Sequence, residues 1–305
     1  MKPLRIFGLG TVVVDHQVML DRLPEADTKG EVVDDRHQVG GPVPTALCLL
    51  RRFGHETTFQ GRWADDPFGA MIEADLRHEG IAFDTPSRRA DSKTGFAHVW
   101  VEQGTGRRSI AGFRGSHQIE AREVRAELLT DIAALHLDGW STEAAIKAAR
   151  LVRSNGGYVF LDLGSPKPQL PKLLAEVDSV NCPLGLFRRL FESGDPESGA
   201  RELLRLGPRE ITVTDGVHGA WLFQKGHPGI HQPAFPIAAV DTNGAGDTFT
   251  GAMIHATLQG WGSARRLRFA AAAAALKCTR IGNRTALPDL PEIENFLASI
   301  PRSAD

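Results

Sequence analysis

AALHLDGWSTEAAIKAARLVRSNGGYVFLDLG, residues 133–164, decides the fold class. AALHLD reads as a short apolar strand, STEAAIKAARLVRSNGG as a helical segment ending in glycines, and YVFLDLG as a second strand. After a broken helical stretch the pattern returns in EITVTDG, residues 210–216. Strand and helix in alternation imply βαβ units, hence a parallel sheet covered by helices on both faces.

Outward from this core, residues 4–10 read as another buried strand. Two helical patterns follow, residues 44–53 before Gly54 and residues 67–79 before Gly80, each glycine placed as a C-terminal stop. Residues 245–259 and 263–279 give two more, the second with a run of alanines suited to close packing on a sheet. Residues 11–38 mix polar and apolar side chains without helical spacing. Alternation in TGFAHVWVEQGTGRRSIAGF, residues 94–113, predicts a hairpin turning at 104–106. The expectation is one α/β domain over residues 1–305, with segments 11–38 and 92–115 projecting a small β-sheet as a lid.

Composition narrows the function. Thirty-five Lys and Arg against 37 Asp and Glu give a net charge of −2, without the basic excess of a phosphate-backbone binder. No nucleic-acid partner is expected. Cys48, Cys182 and Cys278 stand far apart with no C-x-x-C pair, which fits a reducing cytoplasm rather than a disulfide framework or a zinc knuckle. No cleavage pattern follows MKPLRIFGLG and no apolar run has the length of a membrane span, so neither export nor membrane insertion is expected. The 11 histidines lack ligand spacing such as H-E-x-x-H, which favours surface and packing roles.

The chemistry concentrates in DTNGAGDTFTGA, residues 241–252, where a glycine-rich turn runs into an apolar helical pattern. Glycines allow close backbone approach, and the first amides of a helix lack internal partners, so this is an anion site. Asp247 sits in that first turn. Phosphoryl transfer needs both parts, donors for developing charge and a base for the proton of the attacking hydroxyl. Gly8-Leu9-Gly10 has Val13 where a dinucleotide fingerprint needs its third glycine, and no G-x-x-x-x-G-K-[ST] occurs.

The string D-T-x-G-A-G-D resembles the carboxyl-terminal signature of the ribokinase-like (pfkB carbohydrate kinase) family. The resemblance extends over nearly the whole chain, through GLGTVVVDH, VGGPVPTALCLLRRFG, RWADDPFGAMIEADLRHEGI, ITVTDGVHGAWL and RFAAAAAALKCTRIGNRTALP, in that order. It implies a three-layer α/β/α sandwich with a projecting lid, and transfer of the γ-phosphate of ATP, with Mg2+, to a hydroxyl of a sugar or sugar derivative. A nucleoside kinase of the same family is the alternative. Phe96, His98 and Phe113 are available in the lid for stacking on either acceptor. A catalytically weak relative that only binds nucleotide or metabolite is a further one. Family members often pair through their lids, so a homodimer is expected.

Carried over by residue, the resemblance makes Asp247 the base and gives Gly244, Ala245 and Gly246 the anion-hole amides. Asp15, the backbone at Gly40 and Gly41, and Thr45 would hold the acceptor, with Lys29 a match for a basic position of the sulfofructose kinase branch. That branch is also suggested by GGPVPTALC, HQPAF and AALKCTR. Thr214, Gly216 and Gly219 would line the nucleotide. Asp241, Asn243, Arg280 and Gly282 match positions whose oxygens, mainly backbone carbonyls, hold K+ in some members.

Three departures stand out. Thr45 replaces the asparagine of G-G-x-x-x-N-x-A, and no glutamate follows Asn181 in NCPLGL, where the family's N-x-x-E helps to organise magnesium. Gly139 stands after His136-Leu137-Asp138 where the sulfofructose branch has a basic residue.

Overall fold

The computed structural model describes residues 2–84, 87–105, 108–191 and 195–300. Nine strands form the main sheet, in the order β15-β14-β13-β12-β11-β10-β1-β4-β6. Its centre is parallel: β1 (Arg5–Leu9) lies between β10 (Ala134–Leu137) and β4 (Glu56–Gln60), followed outward from β10 by β11 (Tyr158–Asp162), β12 (Ser179–Pro183) and β13 (Glu210–Thr214). β6 (Ala82–Phe83) closes one edge; β14 (Ala220–Gln224) and β15 (Ile230–Gln232) close the other antiparallel.

Alternation along each strand builds two cores. Ile6, Ala134 and Phe160 point to one face, where α1 (Pro42–Arg52), α7 (Ala245–Leu258) and α8 (Ser263–Cys278) pack. Phe7, Leu9, Leu135, Leu137, Val159 and Leu161 point to the other, against α3 (Thr142–Ser154) and α6 (Pro196–Arg205). The result is the ribokinase-like α/β/α sandwich. Its α2 (Pro67–His78) is stopped one residue before Gly80, at Glu79, and the 133–164 unit folds as β10, α3 and β11.

A second sheet, ordered β3-β2-β8-β9, carries β2 (Val13–Leu20), β3 (Val32–Gly40), β8 (Phe96–Glu102) and β9 (Arg108–Phe113). β8 and β9 pair antiparallel, as the hairpin expectation requires, whereas β2 and β8 run parallel. Short stretches β5 (Trp63–Ala64) and β7 (Arg88–Arg89) make a third pairing.

The chain leaves β1 toward β4 on one side and enters β10 on the other, so strand order reverses between β1 and β10. In open α/β sheets that reversal opens a crevice beyond the carboxyl ends of the strands. Here the crevice is bounded by Gly10 and Thr11 after β1 and by Asp138 after β10.

Candidate active site

Asp138 ties the two halves of the crevice together. Its Oδ2 accepts from the Thr11 amide at 2.7 Å and its Oδ1 from the Trp140 amide at 3.0 Å. Beside it opens a cavity of about 370 Å³, lined among others by Asp15, Gly41, Asp162, Asn243, Asp247 and Asn283. Phe96, Ala97, Ile110, Gly112 and Phe113 of the second sheet line it as well. His98 does not line it and meets His16 edge-on at 5.5 Å instead.

Asp15 enters from β2, buried, with Oδ2 accepting from Asn283 Nδ2 at 2.8 Å and Asn243 Nδ2 at 3.3 Å. Burial pushes its pKa up; the two amides oppose the shift by stabilising the charged form. A Cβ at Gly40 would stand 2.3 Å from Asp15 Oδ2, so only glycine leaves the carboxylate its place.

Asp247 lies in the first turn of α7, which begins after Gly244 in the left-handed region at φ 75°. The Ala245 amide turns back to Thr242 O at 3.3 Å. The amides of Gly246 and Asp247 belong to the first turn, where no helical carbonyl is available to receive them. Burial first, and the charge of Asp15 second, raise the Asp247 pKa to about 6. Asp162, at the end of β11, is raised in the same direction by burial and then by Asp247. Thr250 Oγ1 donates to Asp162 Oδ2 at 3.0 Å and accepts from Asn181 Nδ2 at 2.8 Å. Leu184 stands at the glutamate position of N-x-x-E, and Asp162 is one of the carboxylates that line the cavity.

One corner of the cavity was not legible as a site in the sequence. The Arg114 guanidinium lies 3.8 Å and the Lys167 ammonium 3.9 Å from the Trp140 ring centroid, distances two cations can share only on opposite faces. Lys167 is 9% exposed, and among the described residues Ser165 Oγ at 2.8 Å is its one hydrogen-bond partner. Burial lowers its pKa to about 8, against the pull of Asp138.

The chain matches the pfkB family carbohydrate kinase model over residues 5–290. It belongs to that family. Ribokinase of Arabidopsis thaliana is 28% identical over 305 residues, covering 95% of this chain and 79% of the relative. The solved structure of Arabidopsis thaliana ribokinase complexed with ribose and ATP superposes with a TM-score of 0.80 at 27% identity, covering 97% of this chain and 99% of that one. A putative ribokinase II from E. coli in complex with ATP and Mg2+ shares the fold, with a TM-score of 0.80 at 24% identity, covering 97% and 99% of the two chains.

Within this pfkB-family frame, the other expected site residues divide. Thr214 ends β13, and Gly216 and Gly219 bracket the turn into β14, outside the cavity that Asp247 lines. Thr45 is buried beneath it, its hydroxyl accepting from Arg284 at 3.0 Å, and Asn243 and Asn283 reach Asp15 in its stead. Lys29 is exposed on the segment joining β2 and β3 and is not among the cavity residues. Arg107 falls outside the described residues, whereas Arg108 hydrogen-bonds Thr242, linking the second sheet to the signature loop.

The expected K+ site does not fit the residues present. Lys277 Nζ donates to Asp241 O at 2.9 Å and stands 3.2 Å from Asp241 Oδ2. Asn243 turns its side chain to Asp15, and the Arg280 guanidinium pairs with Glu292. A second cation about 4 Å from that ammonium would meet about 4 kcal/mol of repulsion at an effective dielectric of about 20.

His16, Asp35 and His37 meet across β2 and β3 with their ligating atoms all within 4.8 Å, the two imidazoles stacked at 4.3 Å.

Proposed function

We propose that this kinase transfers the γ-phosphate of ATP to a hydroxyl of a sugar or sugar derivative, with Asp247 as the base. The observation that carries the reading is a half-buried carboxylate at the head of α7, beside the first-turn amides of Gly246 and Asp247 and in one cavity with Asp15. In the step, the acceptor hydroxyl gives its proton to Asp247 as its oxygen bonds to phosphorus, and the bond to the β-phosphate oxygen breaks to release ADP. The amides of Gly246 and Asp247 and the turn at Gly244 and Ala245 hold the transferring group. Asp15 receives acceptor hydroxyls, made approachable by Gly40 and Gly41. Thr214, Gly216 and Gly219 take the nucleotide. Magnesium, when bound, neutralises phosphate charge, and Asp162, tied through Thr250 to Asn181, offers it a carboxylate.

The second sheet serves as a lid, since it contributes both Asp15 and further residues that line the cavity. Val32, Val33, Trp100, Ile110 and Phe113 leave large apolar surface exposed on it, which favours pairing with a second copy through the lids. A monomer by light scattering at micromolar concentration contradicts that pairing. No helix among the described residues is long and apolar enough to cross a membrane, and the three cysteines are free, consistent with a cytoplasmic enzyme.

Lys167, buried beside Trp140 with no carboxylate within ion-pair distance among the described residues, favours an acceptor bearing an anionic group, and the exposed Arg114 on the same ring adds positive charge there. An anionic acceptor also suits the resemblance to the sulfofructose kinase branch. The test is a product screen by mass across sugars, sugar acids, sugar phosphates, sulfosugars and nucleosides with ATP. A phosphorylated sugar or sugar acid is expected. Transfer to nucleosides alone replaces the reading with a nucleoside kinase, and ATP binding without transfer to any compound leaves a binding protein.

A further inference from the structure

Lys277 falls on the buried side of α8, one and two turns on from Ala273 and Ala270, and its side chain is fully buried. An ammonium survives such burial only where oxygens replace its water. Asp241 supplies two, its backbone O at 2.9 Å and its Oδ2 at 3.2 Å. The same carboxylate accepts from the Asn243 amide at 2.9 Å through Oδ1 and from the Gly282 amide at 3.0 Å through Oδ2. Asp241 therefore joins the start of the signature loop to the segment after α8 through one buried cation and two amides. The Val240 amide, bonded to Cys278 O at 2.8 Å, fixes the same junction from the backbone side.

We propose that Lys277 is a built-in monovalent cation, which holds the 241–247 loop in its anion-binding shape and makes the enzyme independent of K+. The proposal rests on the kinase reading for its meaning but not for its test. An ammonium group and K+ both bind carboxylate and carbonyl oxygens at short range. A tethered ammonium is present at every salt concentration and loses no translational freedom on binding. Lys277 is a positioning residue. It touches Asp241, and the loop that Asp241 begins carries the amides and Asp247.

The test compares KCl with tetramethylammonium chloride at matched ionic strength, because bulk screening would otherwise obscure a specific ion effect. The readouts are the melting temperature and the Kd of ATP by calorimetry, neither of which needs an acceptor. The wild-type protein is expected to give the same melting temperature in both salts and ATP Kd values within about twofold. Lys277→Ala opens a space beside an unpaired Asp241 carboxylate, so its ATP affinity should fall about tenfold in tetramethylammonium and recover on addition of KCl or NH4Cl. Lys277→Met fills that space without charge and should not recover. A wild-type protein whose melting temperature or ATP affinity rises several-fold with K+ overturns the proposal, and needs no variant to fold. So does a Lys277→Ala protein that binds ATP normally in tetramethylammonium, or one that neither salt restores. Failure of the kinase reading looks different, as ATP binding with no phosphate transfer to any acceptor.

Discussion

The segment DTNGAGD begins and ends with aspartate, and the two ends are built in opposite ways. Asp241 is enclosed and satisfied: a buried lysine and two backbone amides hold its carboxylate, with Lys277 the chief influence lowering its pKa against burial. Asp247 faces a cavity, has no counter-cation within ion-pair distance among the described residues, and is pushed up by burial and by Asp15. One carboxylate is locked in its ionised form as part of the frame. The other is kept near the point where it can exchange a proton. A loop that must be rigid and reactive at once separates the two demands, placing each at one end.

That contrast can be broken by exchanging charge for amide at either end. Asp247→Asn keeps the shape at the head of α7 and is expected to lower kcat by about two to four orders of magnitude, the range for losing a positioned base. ATP should still bind, and the melting temperature should stay within about 2 °C of wild type. Near wild-type turnover in this variant removes Asp247 from the chemistry.

Asp241→Ala should act on stability first. It strands the Lys277 ammonium in the interior, and breaking a buried pair from one side typically costs about 3–5 kcal/mol. Chemical denaturation should show that loss as a lower midpoint with an unchanged m-value. A loss below about 1 kcal/mol would place Asp241 among weak surface pairs rather than in the frame.

A smaller effect is expected across the cavity. Gly40→Ala forces Asp15 aside by adding a Cβ at 2.3 Å from its carboxylate, and should raise the acceptor KM about tenfold with the ATP KM little changed. Equal effects on both substrates would point to a general loosening of the second sheet.

The Asp247 end was legible in the sequence because helix N-terminus, glycines and carboxylate are neighbours along the chain. The parallel sheet was equally legible, since strand and helix patterns alternate plainly from residue 133 to 164. The Asp241 end was only half legible. Lys277 lies 36 residues from Asp241 and reads as one residue of an alanine-rich packing helix. A signal existed in its helical spacing from Ala270 and Ala273, which put a charge on a buried face. Asn283 at Asp15, Arg284 at Thr45, and the Arg114, Trp140 and Lys167 corner depend on loops converging at strand ends. No local periodicity encodes that convergence. The cross-strand meeting of His16, Asp35 and His37 likewise needs the β2–β3 register, which residue spacing alone does not give.

The most direct test of the division of labour is the pH dependence of kcat/KM, which reports the ionisation of the free enzyme, for wild type and Asp247→Asn on one acceptor. A base must be ionised to work, so with a pKa of about 6 the wild-type rate should be level above that pH and fall about tenfold per unit below it. The residual rate of the Asn variant should be flat over the same range, because its amide does not titrate. The same acidic limb in both proteins, or a wild-type rate that is level down to pH about 4, contradicts Asp247 as the base.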